Sequence, residues 1–143
     1  MEALRLVWDE AFTRYDFGQG HPMSPLRLDL TARLIRELGL FEHAGVHVVG
    51  AEPAPDDVLY AVHEPAYVEA VKAASSHPIQ VDESRGLGTE DVPVFEGMHE
   101  ASARIVSGTV EVARAVWSGQ ALHGVNFTGG MHHAMPGLSL IHI

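Results

Sequence analysis

Two adjacent imidazoles, His132 and His133, follow a glycine pair in the segment Asn126-Phe-Thr-Gly129-Gly130-Met-His132-His133-Ala134. An imidazole titrates near pH ~6.5, so around neutrality it can take a proton, return one or bind a metal. In extended chain successive side chains point to opposite faces, whereas a turn can bring both rings to one mouth. Gly129-Gly130 supplies the backbone freedom for that turn. The preceding run, residues 121–127, reads as a short buried strand. The pair is therefore expected at a strand's carboxyl end, where open α/β sheets place their ligand sites. Ten histidines occur in the chain, and most histidines in proteins are structural. A Gly-Gly turn after an apolar strand is nonetheless a poor place for core packing and a good one for approach to a ligand.

The elements that must hold this turn are legible from hydrophobic spacing. Residues 4–8 read as a first strand, ended by Asp9-Glu10. Ser24 is expected as an N-cap with Pro25 at the first helical position. Leu30, Leu34, Ile35 and Leu38 then fall on one face of a helix that Gly39 ends. Val46 to Val49 form a second expected strand, and Pro53, Pro55 and Asp56-Asp57 mark a turn and a new helix start. Residues 64–74 read as a helix that buries Tyr67, Val68 and Val71. Residues 75–93, with Gly86, Gly88 and Pro93, read as a long loop, and loops of that length are usually functional or mobile. The longest helical pattern covers residues 96–117, with Ala101, Ile105, Val112 and Val116 on a shared face and Gly119 at its end.

This β–α–β–α–β order predicts an α/β fold: a three-layer parallel sheet with helices on both faces. No helix follows the last strand, so the domain is expected to be incomplete at its C-terminus. With 143 residues, 46% hydrophobic and 20% charged, the composition is that of a compact globular domain. A formal net charge of −10 argues against adhesion to nucleic acid or to an anionic membrane, and does not exclude a basic peptide or an acylated amine as a partner. No apolar run approaches the roughly 20 residues of a membrane span, and the N-terminus lacks the pattern of a signal peptide. The expected location is the cytoplasm. With no cysteine, any metal must sit on imidazole and carboxylate.

Four ordered motifs together resemble a known family, the metal-dependent deacetylases that include class I histone deacetylases and bacterial acetoin-utilisation deacetylases. They are Tyr15-Asp-Phe-Gly-Gln-Gly-His21-Pro22-Met23-Ser-Pro25-Leu-Arg27, Val62-His63-Glu-Pro-Ala-Tyr67-Val68, Gly86-Leu-Gly-Thr-Glu-Asp91-Val-Pro93-Val-Phe-Glu96-Gly97, and the Gly-Gly-x-His-His-Ala turn. The resemblance runs from about Val7 to Gly137. It implies an arginase/deacetylase-like fold and the hydrolysis of acetyl-lysine or a related acylated amine.

The resemblance also implies roles for individual residues. His132 and His133 match the paired catalytic imidazoles beside a metal-bound water. Asp91, on the rim, and Gly130 match substrate-binding positions, and Arg27 matches an arginine of the cavity below the metal. His21 and His63 are expected to hold loops rather than to react. The family's metal, Zn2+ or Fe2+, is bound by an Asp-x-His pair and a later aspartate downstream of the His-His turn, and a tyrosine comes later still. None of these is present in this sequence, so no metal ligand is assigned here. Residues 1–137 are thus expected to form the N-terminal part of a deacetylase domain. Residues 138–143 depart from the family pattern and read as a truncation or a junction. The alternative is a non-catalytic binding module that keeps the rim and the His-His face. A ureohydrolase of the related arginase-like fold is disfavoured, because its aspartate-rich metal signature is missing.

Overall fold

The computed structural model describes residues 1–79, 81–129 and 134–139. Three strands, β1 (Glu2–Val7), β2 (Val46–Val49) and β3 (Ala121–Val125), form a parallel sheet in the order β2-β1-β3. Leu4 pairs with Val46 on one side and His123 on the other, and Leu6 with Val48 and Val125. Around the sheet run α1 (Leu26–Glu37), the single turn α2 (Asp56–Leu59), α3 (Pro65–Ser76) and α4 (Met98–Trp117). The expected elements are all present, with no end displaced by more than two residues.

Alternation along β1 puts Arg5 and Val7 on one face of the sheet and Leu4 and Leu6 on the other. The Arg5 face receives α4, and Gly124 permits the close approach: a Cβ there would lie 2.7 Å from that of Val112. Arg5 itself is buried in the central strand. Its guanidinium is forked by Glu2, at 2.7 Å to each carboxylate oxygen, and reaches Glu111 of α4. Two carboxylates are what make a buried guanidinium tolerable, and the hydrogen bond from Arg5 holds the Glu2 carboxyl below its usual range. Ser75, at the end of α3, locks the start of α4: its hydroxyl donates to Glu100 at 3.1 Å and accepts the His99 N–H at 3.2 Å.

Four local expectations need correction. The N-cap of α1 is Pro25 rather than Ser24, although the Ser24 hydroxyl still accepts the Leu26 N–H at 3.2 Å. The face of α1 turned to the core carries Leu28 and Ala32, packed with Leu6, Val7, Trp8, Phe12 and Val112, while Leu30, Leu34 and Leu38 are exposed. Val116 lies off the buried face of α4, exposed to 42%. The stretch Asp9-Glu10 does more than end a strand. Asp9 accepts the Ala11 N–H at 2.8 Å and caps a 3-10 turn, Glu10–Arg14, that drives Phe12 to full burial.

Candidate active-site cavity

Asn126 sits one residue past β3 and ties the chain that precedes Gly129 to α4. Its amide donates to the Ile105 carbonyl at 3.1 Å and to the Thr109 hydroxyl at 3.0 Å. Its carbonyl oxygen accepts the backbone N–H and the hydroxyl of Thr128, at 3.1 and 2.6 Å. One side chain thereby converts a strand end into a fixed turn, and Thr128 is buried beneath it. Phe127 stacks on Trp8 with ring centroids 5.1 Å apart. Asn126→Ala is expected to cost about 1–3 kcal/mol, because the buried Thr128 and the half-buried Ile105 carbonyl lose their partner together; urea unfolding of the two proteins measures the difference.

The other flank of the turn, residues 134–139, is clamped from two directions. His63 donates from Nδ1 to the Met135 carbonyl at 3.1 Å, and the Glu64 N–H, leading into α3, donates to Pro136 at 2.8 Å. Arg85 of the 3-10 turn Glu83–Arg85 donates to the Gly137 carbonyl at 3.3 Å, while its own carbonyl accepts the Ser139 N–H at 2.9 Å. Gly86 follows with φ +76, and any Cβ there would lie 2.1 Å from the Ser139 carbonyl oxygen. Ser139 is buried and shares a hydrogen bond with Tyr67.

Both flanks line one cavity of about 460 Å3, through Thr128 and Gly129 on one side and Ala134 and Ser139 on the other. Arg27, Tyr15, His63 and Tyr67 line it as well. The Arg27 Nε is buried and has no hydrogen-bond partner among the described residues. A guanidinium N–H held in a mostly apolar cavity favours an acceptor or an anion there. Burial pushes the Tyr15 hydroxyl far above its ordinary pKa, so it stays neutral and can donate.

Asp91 lies on the neighbouring loop and is exposed. His21 joins this loop to the segment before α1. Its Nδ1 accepts the Met23 N–H at 3.1 Å, which leaves Nε2–H to donate to the Asp91 carbonyl at 3.3 Å. The ring rests against Phe17 at 4.6 Å. His21 and His63 therefore hold loops, as expected. His132, His133 and Gly130 lie outside the described residues. The structure brings Arg27 together with both flanks of the turn and places Asp91 beside that cavity's wall at Val92.

Among the described residues, no group of three or more metal-binding side chains is placed to hold an ion. The described residues alone therefore do not fit a metal cofactor. The sequence reading missed Asn126 and Arg85. Asparagine is unfavourable in strands and favoured in turns, so its place between an apolar run and Gly-Gly was a usable signal. Arg85, in a stretch without periodicity, offered none.

Comparison with known proteins agrees with this architecture. Residues 21–139 match the model of the histone deacetylase domain. The acetoin utilization protein AcuC of Bacillus subtilis (strain 168) is 41% identical over 133 residues, which is 92% of this chain and 34% of that protein. The AcuC protein of Staphylococcus xylosus is 37% identical over 134 residues, with the same shares covered. The chain thus spans about a third of the length of these relatives. In fold it is similar to the crystal structure of an HDAC homolog complexed with SAHA, with a TM-score of 0.81 at 21% identity over 96% of this chain and 37% of that one. The HDAC homolog from Aquifex aeolicus gives the same TM-score at 22% identity and the same coverage. With four ordered motifs, a parallel α/β sheet, and a family match over most of its length, the chain belongs to the histone deacetylase domain family.

Proposed function

We propose that this chain supplies the His-His and substrate-rim part of a metal-dependent deacetylase, acting in the cytoplasm on acetyl-lysine or a related acylated amine. One observation carries the reading: the described residues on either side of His132-His133 line one cavity with Arg27, whose buried Nε–H has no partner among the described residues. An amide hydrolase needs a group that takes a proton from the attacking water and returns one to the leaving amine, and an imidazole does both near neutral pH. His132 and His133 are given that work. Hydrogen bonds that hold the chain before and after the pair lower the cost of presenting them in one geometry. Asp91, on the rim, accepts hydrogen bonds from the substrate backbone, with Gly130 beside the entering chain. The described residues provide no ligand set for Zn2+ or Fe2+, and no step assigned to them passes through a metal.

The test is a chimera in which this chain replaces the region that it matches in the Bacillus subtilis relative. Chelator-sensitive release of acetate from an acetyl-lysine peptide is expected from the chimera. None is expected from the 143-residue chain alone, since catalytic zinc normally needs three protein ligands. Turnover by the chain alone, or a folded chimera that releases no acetate, would sink the reading. Within the chimera, Asp91→Ala is expected to raise KM for peptides about 10-fold and to leave kcat nearly unchanged. The lost bond, one to a charged group, lies far from the reacting carbonyl.

A further inference from the structure

Helix α1 carries two apolar faces. At 3.6 residues per turn, Leu28, Ala32 and Ile35 share the side turned to the core, the first two buried and the third half-buried. Leu26, Leu30, Leu34 and the C-cap Leu38 form a second row, spaced by four, on the opposite side. Their exposures are 58, 54, 60 and 63%. Single exposed leucines are ordinary, but a continuous row of four along one helix is not. Helices that are apolar on both sides are normally sandwiched between two layers.

Two of the charges on this helix are paired, while the exposed Glu37 lies along the row. Arg33 pairs with Asp29 at 3.0 Å, and Arg36 reaches Glu10 at 3.5 Å. What the row itself offers a partner is shape and apolar area, with one carboxylate, Glu37, at its margin. An i±4 row is also the ridge that fits the groove of a facing helix. The fold comparison says where such a layer comes from. This chain superposes along almost its whole length on 37% of a deacetylase-like chain, so 63% of that fold remains to be packed around it.

We propose that the Leu26–Leu30–Leu34–Leu38 row of α1 is the surface that seats an apolar layer of the remaining deacetylase fold, the part outside the region spanned by this chain. The inference rests on family membership and the structure of α1, and goes beyond the proposed reaction. It assigns α1 to the middle of the complete fold rather than to its surface.

The proposal predicts that one substitution acts with opposite sign in two settings. Leu30→Glu with Leu34→Glu, in the chain alone, meets water and should retain helical circular dichroism while raising the soluble monomer fraction. In the chimera the same pair meets the apolar layer and should lower Tm by about 10 °C or more. Should the double variant of the chimera not fold, Leu34→Ala gives the milder comparison: a Tm drop of several degrees in the chimera and none in the chain. Equal effects in the two settings, or an unchanged chimera, overturn the proposal. So does a chain that runs alone as a defined dimer and is made monomeric by the substitution, because a second copy would then be the occupant. Acetate release by the unsubstituted chimera is scored separately. A stable but inactive chimera showing the sign reversal supports the surface and counts against the reaction.

Discussion

Replacing His132 or His133 by Ala in the chimera is expected to lower kcat by about 10²–10⁴-fold for at least one of the two, with KM changed far less. General acid–base catalysis contributes on that order, and it acts in the transition state rather than in substrate binding. Equal losses in kcat and kcat/KM would mark an interaction made only in the transition state. Initial rates over a range of peptide concentrations, with the variants' melting temperatures as a control for folding, make the measurement. Two variants that keep near wild-type kcat would remove the imidazoles from the chemistry, whatever the family.

The second large effect is structural. Gly86→Ala is expected to destabilise the chain by about 2–5 kcal/mol. A left-handed φ costs an L-residue about 1–2 kcal/mol, and forcing a methyl group against backbone adds about 1–3 kcal/mol. The obstacle is the Ser139 carbonyl oxygen, 2.1 Å from the new Cβ. Gly20→Ala is the control, since Gly20 also has a positive φ, +87, but nothing within 4 Å. It should lose only the first contribution, about 1–2 kcal/mol. Urea unfolding of both variants decides it, and equal losses would show that Ser139 yields at no cost.

How far the site could be read from sequence differs by element. Strand β1 and the helices bearing Tyr67 and Ala101 were visible because their apolar period coincides with real burial, whereas β3, expected to be buried, keeps only Ala121 covered and β2 has no buried residue. Helix α1 misled because Leu30, Leu34, Ile35 and Leu38 satisfy a helical stripe as well as Leu28 and Ala32 do, although only Ile35 of the four is turned toward the core. Periodicity says that a face is apolar and not which neighbour covers it. The roles of His21 and His63 as loop holders were legible from their motifs, though their acceptors, the carbonyls of Asp91 and Met135, were not. Those contacts join residues some 70 positions apart, beyond the reach of any local pattern. The clamp at Arg85 and Gly86 was hidden for the same reason.

The place of β1 in the sheet carries a consequence for how the protein is made. Of the three described strands the one made first is the middle one, and its partners arrive late: Leu4 waits for Val46 on one side and for His123 on the other. Parallel pairings between such distant residues require large loops to close before any contact rewards them, which makes folding slow. Synthesis at about 5–20 residues per second leaves one edge of β1 open for several seconds. During that interval its backbone groups are available to other chains. Arg5 blunts the hazard, because a guanidinium in the middle of an unpaired strand resists burial in a neighbour until Glu111 emerges to meet it.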